Sequence, residues 1–280
     1  MIFNLIEKAE DLEFLNQELV CRPYVGVDTE FRRTTKDNMK LSLIQVNDGE
    51  EIYLIDCLQI EYIEDICDFL FSNEVIKILH SCKEDYEAIN SWTGRNLVNV
   101  FDTQLANAFL GGSYSIGYQD LVIEKIDVKV DKDETRSNWL RRPLSDSQLR
   151  YAASDVEFLS HLFIDLEEKL RVEEKLDWFK EEILTIASNN YVSEDKKNSR
   201  QNLTKQNQKD FLYDFNYLVE ELSEENNINK TLFFSKKLQK LFLLEILSSD
   251  LNSALNTLTL WRKELLMKPL DNLINLYKLN

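Results

Sequence analysis

Apolar positions in the first half of the chain switch between two periods. Ile2–Ile6, Tyr24–Phe31, Leu41–Val46, Glu51–Ile55 and Val75–His80 are short runs rich in branched and aromatic residues, and they read as strands. Asn47-Asp48-Gly49, between the third run and the fourth, is a hairpin turn sequence. Ala9–Leu19 instead places Leu12, Leu15 and Leu19 on one side of a helix, and Ile60–Phe71 does the same with Ile63, Ile66, Cys67 and Leu70. Lys83–Trp92, Asp102–Leu110 and Tyr118–Ile126 read as further helices, with Val98–Phe101 a last strand or a turn. Ser145 can cap a helix that has Gln148 at its third position, which predicts a long helix from about Asp146 to Arg171. Strands followed by alternating strand and helix predict an α/β domain with a mixed central sheet.

Residues 189–209 follow neither period. They are rich in Asn, Ser, Lys and Gln and predict a polar linker. Beyond them, 211–222, 235–247 and 258–277 have helical periodicity with no strand signal. The expected organisation is an α/β domain over 1–188, the linker over 189–209 and a small all-helical domain over 210–280. With 44% hydrophobic and 30% charged residues in 280, the chain is globular and not disordered. No apolar run reaches the roughly 18 residues of a membrane span. The N-terminus has neither a basic start nor a cleavable apolar core, so a cytoplasmic protein is expected. Cys21, Cys57, Cys67 and Cys82 form no C-x-x-C pair, which argues against a zinc site or a disulfide framework.

Three places carry candidate chemistry. In the strand Val25-Gly-Val-Asp-Thr-Glu-Phe31, Asp28 and Glu30 point to one face. Two like charges on a buried strand repel and are costly to desolvate, and a divalent cation with carboxylate ligands relieves both costs. The alternative is a solvated strand end leading into Arg32-Arg33-Thr34-Thr35-Lys36. On the long helix, Leu149, Ala152, Val156, Leu159 and Phe163 make a core stripe, while Tyr151, Asp155, Phe158 and Leu162 make a second column. Asp155 is the one charge in that column, a turn from a tyrosine; an ordinary surface Asp is the competing reading. A third acid, Asp85, lies where a strand gives way to a helix, and there it can serve simply as a complement to the helix dipole.

Together these segments resemble the DEDD superfamily of 3′→5′ exonucleases, in the subclass that carries a tyrosine, and specifically the ribonuclease D family. The matching residues are Asp28-Thr-Glu30-Phe31, then Leu79-His80 with Glu84-Asp85 and Phe101-Asp102-Thr103-Gln104, then Tyr151-Ala-Ala-Ser-Asp155. The stretch Glu134-Thr-Arg136-Ser-Asn-Trp139-Leu-Arg-Arg142-Pro143-Leu144 is similar to the family's sequence just before its third motif. The resemblance implies a ribonuclease H-like nuclease domain in which Asp28, Glu30, Asp85 and Asp155 hold two divalent cations, Mg²⁺ or Mn²⁺, that clamp the scissile phosphate. It gives Tyr151 the role of orienting the attacking water, since a tyrosine, with a reference pKa of about 10, is a poor base. Asp102 is expected to be structural. Phe31, His80, Arg136 and Arg142 are candidate substrate contacts, each with a competing use: core packing for Phe31, a satisfied strand-end histidine for His80, ion pairs for the arginines.

A net charge of −17 argues against a nucleic-acid partner unless bound cations supply the positive charge. Residues 211–280 carry 9 acids and 8 bases, so nearly all of that charge lies before them. This tail resembles a helicase-and-ribonuclease-D C-terminal (HRDC) domain, with Trp261–Leu270 similar to the end of the second of two such domains. Only about 70 residues follow the linker, enough for one. The function implied is a metal-dependent 3′→5′ exoribonuclease that releases nucleoside 5′-monophosphates. Its partner would be RNA with an accessible 3′ end, such as tRNA precursors or other small structured RNAs, with no membrane and no obligate protein partner. A DNA exonuclease of the same superfamily shares the motifs. An inactive RNA-binding scaffold would have lost one of Asp28, Glu30, Asp85, Tyr151 or Asp155, and all five are present. A phospho-receiver domain fits Asp28 and Glu30 but not the Tyr151–Asp155 pair.

Overall fold

The structure, a computed structural model, describes residues 2–35, 38–129, 137–188 and 203–279. Its sheet has six strands: β1 (Asn4–Ile6), β2 (Tyr24–Thr35), β3 (Asn38–Asn47), β4 (Ile52–Asp56), β5 (Ile76–Leu79) and β6 (Val100–Asp102), in the spatial order β1-β4-β3-β2-β5-β6. β3 runs antiparallel to β2 and β4, and the β1–β4, β2–β5 and β5–β6 pairs are parallel. This is the mixed sheet that the sequence predicts. The β3–β4 turn forms for local reasons. Asp48 accepts the backbone N–H groups of Glu50 and Glu51, Asn47 accepts that of Gly49, and Gly49 has φ +94°, which a residue without Cβ adopts freely. Val25, Val27, Leu43, Ile44, Val46, Leu54 and Ile55 are fully buried, so the sheet is covered on both faces.

The chain forms two compact units, residues 1–106 with 115–169, and residues 107–114 with 170–280. The first holds the sheet with α1 (Ala9–Leu19), α2 (Lys83–Thr93), α4 (Tyr118–Ile126) and α5 (Asp146–Ser154); α3 (Thr103–Phe109) and α6 (Leu159–Val172) span the two boundaries. The predicted helix over Ile60–Phe71 is reduced to one short 3₁₀ turn, Asp68–Leu70. Asp65 has φ +69°, and Asn16 of α1 fixes the segment by donating to the Asp65 carbonyl (2.9 Å) and accepting the Phe69 N–H (3.1 Å). Ile63, predicted on the buried face, is 56% exposed.

The second unit is helical: α7 (Leu176–Ala187), α8 (Lys205–Glu225), α9 (Lys230–Phe234), α10 (Lys236–Ser248), α11 (Leu251–Asn256) and α12 (Leu260–Tyr277). Its cut at residue 170 differs from the expected division at 188, because α7 is tied to α12. Glu182 of α7 is buried and takes both Nη groups of Arg262 (2.6 and 3.0 Å) and the Trp261 indole N–H (3.1 Å). Trp178 stacks on Trp261 at 6.0 Å, and Phe109 meets it edge-on at 5.1 Å. Of the expected linker, residues 189–202 lie outside the described residues, while 205–209 are the first turns of α8, capped by Thr204. Among the described residues, no helix is long and apolar enough to cross a membrane.

Candidate active site

Alternation along β2 puts Gly26, Asp28 and Glu30 on one face. Gly26 is required there by a close approach: a Cβ at this position would lie 3.1 Å from Leu159 Cβ at the start of α6. A register shift between Glu30 and Phe31 marks a bulge just past the two acids. Asp155 comes from above as the residue that closes α5. Asp28, Glu30 and Asp155 each offer a carboxylate oxygen, and these lie within 4.8 Å of one another. Asp85, in the first turn of α2, is not in that triplet. It is buried, and its Oδ1 accepts a hydrogen bond from the hydroxyl of Thr29, the residue between Asp28 and Glu30.

Electrostatics mark this place as strained without counter-charge. Burial pushes the Asp28 carboxyl well above the carboxylate range, and Asp85, Asp155 and Glu30 push it further. Glu30 is raised to about 9 by burial, then by Asp155 and Asp85. Asp85 is raised to about 7 mainly by burial, against the Thr29 hydrogen bond. Asp155 is likewise raised by burial to about 7, against a hydrogen bond from Tyr151 that favours its charged form. A convergent set of carboxylate oxygens at one shared point is what hard divalent cations take. The residues present therefore fit such an ion.

The predicted single helix over residues 146–171 is broken here, and the break is what presents Asp155. α5 ends at Ser154 and α6 begins at Leu159. Two side chains from elsewhere take the backbone groups that a continuous helix would satisfy itself. Asn47 Nδ2 donates to the carbonyls of Val156 (3.0 Å) and Glu157 (3.2 Å). The Tyr118 hydroxyl donates to the Ser154 carbonyl (3.2 Å) and accepts the Phe158 N–H (3.0 Å). The Tyr151–Asp155 spacing survives, since the Asp155 N–H still bonds the Tyr151 carbonyl at 3.2 Å, but Phe158 and Leu162 no longer continue its column. The start is as predicted, a capping box between Ser145 and Gln148. Replacing Asn47 with Ala removes both hydrogen bonds, leaving the Val156 carbonyl only its long bond from the Leu159 N–H (3.4 Å), and should cost about 2 kcal/mol in urea unfolding. An unchanged midpoint would mean that the break holds itself.

The other predicted residues fall into different places. His80 lines the same cavity as Asp28; its Nε2 faces the Ile116 carbonyl and Nδ1 the Thr103 hydroxyl, both at 2.9 Å, and burial lowers its pKa. Arg142 is a structural ion pair. Its guanidinium is spent on Asp56, on the Trp139 carbonyl and on Ser42. Phe31 is partly buried, opposite Leu41 in the register, and Arg136 lies outside the described residues. Asp102 accepts four backbone N–H groups, from Ser81, Cys82, Gln104 and Leu105, which leaves it a structural acid. The cavity over the acids, of about 240 Å³, is lined by Asp28, Tyr151 and Asp155 and by Gly117, Tyr118, Gln119 and Asp120 of the α4 start. None of those four residues, nor Thr29, carries a site signal in the sequence, and Asn47 reads there only as part of a hairpin turn.

A model of the 3′–5′ exonuclease family matches residues 3–171, more than half of the chain. A ribonuclease D of Pseudomonas paraeruginosa is 42% identical over 173 residues, which are 62% of this chain and 46% of that protein. The chain thus spans about half the length of the curated relatives it matches. Among solved structures, that of Escherichia coli RNase D, described as an exoribonuclease involved in structured RNA processing, aligns with 99% of this chain and 76% of its own, with a TM-score of 0.65 at 24% identity. Brucella melitensis NrnC with bound Mg²⁺ aligns with 62% of this chain and 86% of its own, with a TM-score of 0.54 at 24% identity. At these identities the two structures show a shared fold, a mixed-sheet nuclease followed in the first case by a helical HRDC-like region. The match over residues 3–171 carries the assignment: the chain belongs to the 3′–5′ exonuclease family.

Proposed function

We propose that this chain is a 3′→5′ exoribonuclease of ribonuclease D type, which trims the 3′ ends of tRNA precursors or other small structured RNAs to nucleoside 5′-monophosphates in the cytoplasm. Exonucleases of this family depend on divalent metal ions. In this reading Asp28, Glu30 and Asp155 hold the ions, Mg²⁺ or Mn²⁺, and Asp85 completes the set from beside Thr29. The observation that carries the reading is the meeting of Asp155 with Asp28 and Glu30 at a helix break one turn from Tyr151. Bound there, divalent cations would lower the pKa of water and offset negative charge on the phosphate and the leaving oxygen.

The chain's own groups supply the rest. Tyr151, hydrogen-bonded to Asp155, has its hydroxyl at the edge of the acid cluster, where it can hold a water for attack on phosphorus. The cavity bounded by Tyr118, Gln119 and His80 gives a terminal nucleotide a place beside the acids. A small cavity beside the acids favours attack at a chain end, and the 3′ direction is taken from the family match.

The test is a 5′-labelled RNA with a short unpaired 3′ tail, beside a DNA of the same sequence, each incubated with Mg²⁺, with Mn²⁺ or with a chelator. A metal-dependent ladder that shortens from the 3′ end, stronger on RNA, is the expected outcome. A ladder mainly on DNA would transfer the chain to that substrate. Binding of RNA without cleavage under either metal would overturn the enzymatic reading.

A further inference from the structure

Tyr151 stands on α5 and bonds Asp155, and one side of its ring meets the segment before the helix. Trp139 is 4% exposed and its ring lies 6.1 Å from that of Tyr151, tilted by 38°. The indole Nε1 is buried and has no hydrogen-bond partner among the described residues. A buried indole N–H normally finds an acceptor. Among the described residues no polar bond orients the ring, so its position there depends on packing and on how the Trp139 backbone is held.

That backbone is held firmly. The Trp139 carbonyl accepts from Arg142 Nη1 at 2.7 Å and from the Ser42 hydroxyl on β3. Arg142 is itself fixed by a forked pair with Asp56, at the end of β4, through Nε (2.5 Å) and Nη2 (2.7 Å). Arg142 Nη2 also reaches the Ser42 carbonyl at 3.1 Å. The Asp56 side chain is only 1% exposed and that of Arg142 16%, so the pair is shielded from water. A planar guanidinium that uses all three nitrogens in this way defines an orientation that an ammonium cannot reproduce.

We propose that the Asp56–Arg142 pair is a positioning element for Tyr151, acting through the Trp139 carbonyl and ring. The inference rests on the role of Tyr151 given above. Its logic is geometric: the adjacent interior strands β3 and β4 set the guanidinium, the guanidinium sets the Trp139 backbone, and the indole sets one side of the tyrosine ring. A shift of about 1 Å at a reacting group costs on the order of a hundredfold in rate. Arg142, Trp139 and Asp56 touch no reacting atom in this scheme.

The test pairs Arg142→Lys with Trp139→Phe, each alone and each combined with Tyr151→Phe. Trp139→Phe strands no acceptor among the described residues, where the indole N–H has no partner, so it carries the test if Arg142→Lys fails to fold. Each single variant is expected to lower kcat about tenfold to a hundredfold with KM within twofold of wild type. Added to Tyr151→Phe, the same change should lower kcat by less than twofold, since the group it positions has already lost its hydroxyl. A second readout needs no activity. The near-ultraviolet circular dichroism lost in Trp139→Phe gives the signature of the Trp139–Tyr151 pair, and Arg142→Lys should lose the same signature. Equal fold-losses in both backgrounds, or a folded Arg142→Lys with wild-type kcat and signature, would overturn the proposal. If Tyr151→Phe itself keeps full activity, the role of Tyr151 fails, and the dichroism alone decides whether the pair sets the ring.

Discussion

Asp28→Asn should give a folded protein that no longer shortens RNA, and whose metal-free form melts higher than wild type at pH 8. The loss of activity follows from the role proposed for Asp28 as one of the carboxylates that hold the metal ions. The gain in stability follows from the same cluster. Burial and three neighbouring carboxylates push the Asp28 carboxyl well up, so the ionised form is disfavoured in the fold. Asp85 and Asp155 are raised to about 7 and Glu30 to about 9. In the unfolded chain all four ionise near 4. Between those values the folded state binds more protons, so stability from these groups is complete below about pH 4 and declines as pH rises through 7 and 9.

An uncharged Asn removes one member of the repulsion without changing the shape of the side chain. With chelator present, the variant should therefore melt about 5 °C above wild type at pH 8, and much less so at pH 5. Adding Mg²⁺ or Mn²⁺ should raise the wild-type Tm, more at pH 8 than at pH 6, because metal and protons compete for the same oxygens. The variant should respond weakly. A lower Tm for the variant at pH 8, or a metal response equal to wild type, would show that the acids do not act as one site.

The second large effect is expected for Tyr151→Phe. Losing the hydroxyl should reduce kcat by about a hundredfold or more, the scale of losing a group that positions the attacking water. KM for RNA and the metal-induced rise in Tm should stay close to wild type, since the ring remains. The pH profile should change as well. Tyr151 donates to Asp155 and so favours its charged form. Without that bond the Asp155 carboxyl moves further up, and the acid limb of the rate profile should shift to higher pH. A variant with wild-type kcat would place water orientation on another group; Tyr118, whose hydroxyl already bonds two backbone groups, would be a poor substitute.

What was legible in the sequence was local. The acids two apart on a strand, the tyrosine four before an acid and the Ser145–Gln148 box each depend on residues within one turn or one strand, and each is found as read. Contacts across the chain were not legible. The helix over Ile60–Phe71 is undone by Asn16, about fifty positions away. The helix break is held by Asn47 from 109 and 110 positions away and by Tyr118 from 36 and 40. Arg142 reads from sequence as either a phosphate contact or an ion-pair partner, and only its approach to Asp56, 86 positions away, decides. Asp85 is expected among the metal ligands only through the family resemblance, since its strand-to-helix junction by itself fits a complement to the helix dipole. The Thr29 hydroxyl that turns one of its oxygens aside gives no signal in one dimension. α7 was missed because its buried acid, Glu182, looks like a solvent residue until Arg262 is placed beside it.

The interruption between Ser154 and Leu159 also separates two phases. In an unbroken helix, one inserted residue turns everything after it by about 100° relative to everything before it. The face of α6 that carries Leu159, Leu162, Phe163 and Leu166 into the core would then be locked to the azimuth of Tyr151. Because Asn47 and Tyr118 restart the backbone at the break, the two helices keep independent azimuths. A length change at the break itself can be absorbed without rotating the Tyr151–Asp155 pair, whereas a residue added between Tyr151 and Asp155, or between Leu159 and Leu166, turns one packed face against the other by about 100°. Length variation among homologous chains should accordingly be missing from both of those segments.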